Sequence, residues 1–469
     1  MKIRRRERRA DNRMRLDFSD MPIRHRAFSE KPMTFCDPEP KNFLSAIFDV
    51  AAIETGHPLA RDHWQTAQLR NLIKHATERS AFWRRRIGAG KLSGVTLSSL
   101  PVLERSAVQT QIAGEGSLLR PNDQIAITTS STSGSSGEPV KFFASGMNVR
   151  YNQVRSVAQY FLEGRDLTLN RTQIDYSPQL QQEGLKVARS EAWLGPLGNF
   201  FAGGANKVIE YFRPDMETFG AELHRDPIGY LVTAQWTVET LLQSLDLSAL
   251  QRAGLRMWIS VADAVDPALR EALMSGGIAV RSTYSAQEVG PIGFECEHVP
   301  GNYHVATSNV VVEVDSGESC QLGPHKLGRV LVTHLHSYAT PFIRYDIGDL
   351  ASLAPECACG HAGPTLANLY GRGRNLLQHR DGTVSPFYLG AALIATLPQF
   401  KDYRIRQTGP GMLVVEIGGR TGLNPDEQAA ILALVRKQAG DDFQVELKVV
   451  PEIDWRGSVK KLGFANAML

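Results

Sequence analysis

Apolar residues first recur at helical spacing at Leu69, Leu72, Ile73 and Ala76, with charge on the opposite side, which predicts a helix over 64–86. Residues 98–112, with Pro101, Leu103 and Val108, show no regular period and read as an irregular approach to the loop at 128–142. In the middle of the chain the pattern changes to short apolar runs separated by breakers. Residues 256–260 (RMWIS) predict a strand. Asp266-Pro267 predicts a helix start, with Asp at the cap and Pro at the first position, and Gly276-Gly277 predicts its end. Residues 278–284 (IAVRSTY) predict the next strand. Strand, helix and strand joined by short turns make a parallel βαβ unit. Ligands bind beyond the carboxyl ends of such strands, which here means SAQEVG at 285–290.

Towards the end of the chain the pattern changes again. Residues 403–407 and 412–417 alternate around Gly409-Pro410-Gly411, a hairpin signature. Asn424-Pro425-Asp426-Glu427 opens a helix whose apolar face is Ile431, Leu434 and Val435, and 443–450 alternates once more. These elements predict a small α+β unit of its own, with YGRGRN at 370–375 as the hinge before it. No internal repeat is found.

A chain of 469 residues is too long for one compact core, and its composition, 42% hydrophobic and 22% charged, is that of a globular protein. No apolar run approaches the roughly 18 residues of a membrane helix, and no secretory h-region follows the N-terminus, so the expectation is a cytoplasmic protein without a membrane partner. The net charge of +3 is unevenly placed. Residues 1–26 carry ten Lys/Arg and four Asp/Glu, which leaves 42 basic and 45 acidic residues in the rest. The basic excess is read as a solvated arm, and nucleic acid is not an expected partner. Five cysteines, at 36, 296, 320, 357 and 359, do not suggest a disulfide framework.

The richest segment chemically is TTSSTSGSSGEPVKF at 128–142. Hydroxyls surround Gly134, and Gly137 follows before an apolar run resumes. A loop this rich in small residues can wrap backbone N–H groups and hydroxyls around phosphate oxygens. It is not a Walker loop, because no Gly-Lys-Ser/Thr follows at the required spacing.

Four further segments come after it in order: YSAQEVG at 284–290, PFIRYDIGD at 341–349, GRGRN at 371–375 and SVKKLGF at 458–464. Together with the hydroxyl-rich loop, this ordered set resembles the adenylate-forming superfamily of acyl-CoA synthetases, specifically its phenylacetate–CoA ligase branch, over about residues 60–469. The resemblance implies an α/β fold, with a large N-terminal multi-sheet adenylation domain (41–371) after the basic arm (1–40). It also implies a small mobile α+β C-terminal lid domain (372–469). The implied activity is ATP-dependent adenylation of a carboxylic acid, aromatic or arylacetic, followed by transfer to CoA. An amine or a carrier protein is the alternative acceptor, and a nucleotide-binding protein without ligase activity is a third reading. A homodimer is compatible with the family, and the sequence leaves oligomeric state open.

Carried over residue by residue, the resemblance implies that Ser130, Ser131, Thr132, Ser133, Gly134, Ser135, Ser136 and Gly137 hold the β- and γ-phosphates of ATP. Tyr284, with Ser285 beside it, lies against adenine, and Asp349 accepts the ribose hydroxyls. Glu288 ligates Mg²⁺, Arg372 pairs with phosphate or ribose, and Asp263 lies near the nucleotide. Lys460 bridges carboxylate and α-phosphate, with Lys461 as fallback, although Val459 stands where the family has Gly. Arg374 and Asn375 likewise replace the family's hinge aspartates. The implied acyl pocket draws on Gln235, Trp236, Val289, Gly290 and Phe294. Some members of the branch carry a structural zinc; the matching donors here are Cys296, Cys357 and Cys359, with His304 preferred over His298 as the fourth.

Overall fold

The computed structural model describes residues 38–88, 96–120, 123, 125–132, 139–175, 177–199, 201–210, 216–262, 264–322, 325–371, 375–397, 399–455 and 463–468. The basic arm therefore lies outside the described residues up to 37, and the first helix, Pro38–Thr55, begins within the last residues assigned to it.

One twelve-stranded sheet organises the larger part of the chain. Half of it is mostly parallel and contains the βαβ unit expected from the short apolar runs. Strands Asn206–Glu210, Arg171–Asp175, Gly229–Thr233, Leu255–Val261 and Ala279–Ala286 lie side by side in parallel, with Val187–Ser190 antiparallel at the edge. The helix between the last two is Pro267–Ser275, capped by the Asp266 side chain on Ala268 N, and it ends at Gly276. The sheet then changes character. Gly290–Glu295, Tyr303–Val305, Thr365–Ala367, Tyr345–Ala354, His325–His334 and Val310–Leu322 continue it entirely by antiparallel pairing. A separate two-stranded ribbon, Ile127–Ser131 with Lys141–Ser145, stands beside it.

The helix expected over 64–86 is two helices, Pro58–Arg79 and Ala81–Ile87. Ser80 breaks it by adopting an extended backbone (φ −119°, ψ 128°), and its hydroxyl accepts from Trp83 N at 3.1 Å. Ser80 so serves as the C-cap of one helix and the N-cap of the next. This turns Phe82 and Trp83 into the core that also holds Leu103, Val289 and Tyr345.

The C-terminal unit has its own four-stranded sheet, ordered Gln444–Val450, Met412–Gly418, Asp402–Gly409, Phe464–Asn466. The hairpin read around Gly409-Pro410-Gly411 is present, and Gly411 takes φ +70° as its turn requires. Helix Pro425–Ala439 starts with a full capping box between Asn424 and Glu427. A separate hydrophobic cluster, from Leu377 to Phe464, lies inside this unit. The α/β architecture with a large sheet-based part and a smaller α+β part is thus as the sequence implies. No helix among the described residues is long and apolar enough to cross a membrane.

Candidate active site and thiolate cluster

The hydroxyl-rich turn is held at its stem. Thr132 N donates to Val140 O at 3.0 Å, and the Thr132 hydroxyl accepts from Val140 N at 3.0 Å. Ser130 is half-buried and Ser131 exposed on the strand leading in. Ser133, Gly134, Ser135, Ser136 and Gly137 lie outside the described residues, as do Asp263, Arg372, Lys460 and Lys461.

Beneath that stem lies a group of side chains that sequence reading did not assemble. Leu103 is fully buried and clips onto the edge of Tyr345: its N–H donates to Arg344 O at 2.8 Å, and its carbonyl accepts from Asp346 N at 3.0 Å. Two residues later, Arg105 reaches the Thr132 hydroxyl at 3.1 Å and Glu288 Oε1 at 3.6 Å. Tyr345 Oη donates to the same Glu288 oxygen at 3.1 Å. Burial, and then the Glu288 charge, push the Tyr345 phenol well above its ordinary value, so it stays a donor. Arg344 precedes it with φ +49°, a left-handed backbone fixed by Arg344 N donating to Thr333 Oγ1 and Nε to Glu313 at 3.0 Å. Glu288 is thus held at one oxygen by a cation and a phenol. The donor set fits a hard divalent cation shared with phosphate, since such cations take one or two carboxylates and draw the remaining oxygens from substrate and water.

Ser285, Glu288, Val289 and Gly290 form the tip of the hairpin that begins the antiparallel half. They line a cavity of about 880 Å³ together with Ser130 and Phe294. Gly290 takes φ +70°, and a Cβ there would meet Asn152 Oδ1 at 2.5 Å, so only glycine lets the tip approach helix Gly146–Leu162. On the next residues outward, Tyr284 Oη donates to Asp349 Oδ2 at 2.7 Å. The two sequence motifs that carry Tyr284 and Asp349 therefore meet, from strands far apart in the chain.

Gln235 and Trp236 are not among the residues that line this cavity. Helix Gln235–Ser244 turns them the other way. Gln235 donates to Glu239 Oε1 at 2.7 Å and accepts from Asp266 N at 2.6 Å, while Trp236 is buried. Glu239 in turn accepts from Tyr403 Oη of the C-terminal unit at 3.3 Å. This face of the helix meets the small unit.

A second cluster gathers at one edge of the antiparallel strands. Phe294 pairs with His304, and His304 pairs with Thr365, so Cys296 and His304 stand beside the turn that carries Cys357 and Cys359. The four donor atoms all lie within 4.8 Å of one another, and Cys359 Sγ is 3.4 Å from His304 Nε2. Asn302 Nδ2 lies 3.8 Å from Cys357 Sγ, and His361 N donates to Cys359 Sγ at 3.4 Å. Burial pushes the Cys296 thiol up to about 12 and holds the His304 imidazole down to about 4. His361 stacks on His304 with ring centroids 4.0 Å apart, and Arg61 donates to Ala362 O at 2.8 Å, tying the long N-terminal helix to the turn. His298, the alternative fourth donor, is exposed and stands outside the group. Three thiols and a neutral imidazole at these separations fit a tetrahedral metal such as zinc.

No protein-family model matches the chain, and no curated protein matches it by sequence. Solved structures do match in three dimensions. A 2-hydroxyisobutyryl-CoA ligase in its postadenylation state with 2-HIB-AMP overlays with a TM-score of 0.64 at 16% identity, covering 89% of this chain and 91% of that one. The same ligase in the thioesterification state, with 2-HIB-AMP and CoA, gives 0.56 at 17% identity over 89% and 92%. The anthranilate CoA ligase AuaEII with anthranoyl-AMP gives 0.51 at 13% identity over 72% and 66%. A GH3.15 acyl acid amido synthetase gives 0.50 at 14% identity over 90% of each chain.

Proposed function

We propose that this chain, which has the fold of the adenylate-forming enzymes, activates a carboxylic acid with ATP. A carboxylate oxygen attacks the α-phosphorus, the bond from that phosphorus to the oxygen bridging the β-phosphate breaks, and pyrophosphate leaves. The observation that supports this best is the Arg105–Glu288–Tyr345 group, joined through Thr132 to the stem of the hydroxyl-rich turn.

In this reading the turn at 130–138 cradles the outer phosphates with N–H groups and hydroxyls. Arg105 supplies fixed positive charge beside the phosphates and orients the Thr132 hydroxyl, a preorganised arrangement that does not reorganise as charge moves. Asp349, held by Tyr284 Oη, accepts from the ribose hydroxyls, and the Tyr284 ring faces adenine. Glu288 holds Mg²⁺, which when bound neutralises phosphate oxygens. Lys460 is brought in by the small unit to bridge carboxylate and α-phosphate, with Arg372 and Asp263 beside the nucleotide. Val289, Gly290 and Phe294 line the acyl end, and an aromatic acid suits their apolar character.

Transfer to CoA is the second half-reaction we favour: thiol attack on the acyl carbonyl expels AMP. An amine acceptor is the second reading. Its support is the fold shared with an acyl acid amido synthetase over nine-tenths of both chains, together with Val459, Arg374 and Asn375 at positions where the resemblance to CoA ligases departs. We also propose that Cys296, His304, Cys357 and Cys359 hold a structural zinc.

The test is carboxylate-dependent exchange of labelled pyrophosphate into ATP, over a panel of aryl and arylacetic acids. Exchange with at least one acid is expected. CoA- or amine-dependent AMP release then separates the acceptors. A panel that gives no exchange with any acid rejects the ligase reading.

A further inference from the structure

Among the cavity residues that this chemistry does not use, His334 stands out. His334 ends strand His325–His334, lines the cavity and is 2% exposed, and neither of its ring nitrogens has a hydrogen-bond partner among the described residues. A buried donor and acceptor left unmade are costly, and native interiors rarely tolerate them without a reason. The His334 backbone is held on both sides. Its N–H donates to Phe342 O at 2.9 Å, and its carbonyl accepts from Ser337 Oγ at 2.7 Å.

The surroundings define what the imidazole can bind. Phe142 and Phe342 meet edge-to-face at 5.7 Å and also line the cavity. Arg155, buried behind, donates to Ser308 O at 3.1 Å. Burial first, and then the charges of His336 and Arg155, hold His334 well below its ordinary pKa, so the ring is neutral. A neutral imidazole offers one N–H donor and one nitrogen acceptor. A hydroxyl, which can both donate and accept, can pair with whichever ring nitrogen faces the cavity. An ammonium at this depth would be buried beside the like charge of Arg155.

His334 is also coupled to the hairpin that carries Glu288. Asn309 Nδ2 donates to Val289 O at 2.8 Å and Pro291 O at 2.7 Å, while its carbonyl accepts from Leu335 N at 3.0 Å. One residue thus bridges the hairpin tip and the residue next to His334.

We propose that His334 is a specificity-determining residue that hydrogen-bonds a hydroxyl on the acyl substrate, so that the preferred acid is a hydroxyl-bearing aromatic one. This rests on the ligase reading above and names its substrate class. The experiment measures pyrophosphate exchange for benzoate against its three hydroxy isomers, and for phenylacetate against its ring-hydroxylated isomers. Enzymes compared are the wild type and His334→Phe, which keeps a planar ring and removes both polar nitrogens.

At least one hydroxy acid is expected to exceed its parent by tenfold or more in kcat/KM, with the ratio falling towards unity in His334→Phe. If the wild type exchanges with acids but shows no hydroxyl preference, the inference fails and the ligase reading stands. If the preference exists and survives the substitution, another residue reads the hydroxyl and the inference is overturned. If no acid supports exchange, both fall. Should His334→Phe not fold, His334→Leu is read by the same ratio.

Discussion

The arginine at 105 is the residue that sequence reading passed over. It lies in a stretch with no period, LPVLERS at 100–106, which the family resemblance covers without giving Arg105 a role, and its partners come from 132 and 288. What places it is Leu103 clipped against Tyr345, a contact between residues more than two hundred apart. Arg105→Ala is expected to lower pyrophosphate exchange by about a hundredfold or more, with an unchanged circular dichroism spectrum; a loss under threefold would remove it from the site. By contrast Glu288, Tyr284 and Asp349 were singled out because they sit in the ordered set of segments that carries the family resemblance. Lys460→Ala is expected to abolish exchange while ATP still binds, as measured by calorimetry; if Lys461→Ala does this instead, the assignment shifts by one position. A third prediction concerns His336, which burial and the Arg155 charge push down to about 4. Its unfolded value is about 6.5. Between these only the unfolded chain takes up the proton, so the neutral ring's contribution is complete above about 6.5 and is lost as pH falls towards 4. That shift corresponds to about 3 kcal/mol as an upper bound. The gap in Tm between wild type and His336→Phe should narrow from pH 7.5 to 4.5, and a constant gap would contradict the assignment.

Among elements, two neighbouring strands of the parallel half, Leu255–Val261 and Ala279–Ala286, were legible with the helix between them, because they are short apolar runs separated by Asp-Pro and Gly-Gly. The antiparallel half was not. Val310–Leu322 and His325–His334 carry acids, glycines and histidines along long strands, and their period is blurred by a register shift between Asp315 and Cys320. That half nevertheless assembles the thiolate cluster, since pairing places residues 296, 304 and 357–359 at one edge. Metal analysis of the purified protein should find about one zinc per chain. Removal by a chelator selective for zinc over magnesium should lower the Tm by several degrees, and Cys357→Ser should mimic it; a zinc-free protein of the same Tm would dismiss the site. The break at Ser80 was missed for a different reason. A serine inside an apolar period looks like a polar helix position until its hydroxyl is seen capping the next helix.

At the scale of the whole molecule, the two units meet at the helix that begins with Gln235 and Trp236. Helix Gly390–Thr396 lies close to helix Gln235–Ser244, and a Cβ on Gly390 would collide with Glu239 Oε1 and come within 2.5 Å of Tyr403 Oη. Gly390→Val should therefore wedge the units apart, raising the radius of gyration in small-angle scattering; an unchanged value would mean that the contact yields locally. The separation into a large and a small unit was legible because the period changes near residue 400. Their docking was not, since Gln235, Glu239 and Tyr403 look like ordinary helix and strand residues until the fold brings them together.

The short strand Phe464–Asn466 runs parallel to Asp402–Gly409 and buries Phe464 within the smaller core. Phe464 is four residues beyond Lys460 in the chain, and four residues span at most about 14 Å when fully extended. The amine is leashed to that sheet, and wherever the sheet travels it must go too. Rotation of the small unit would then act as the throttle on the first chemical step.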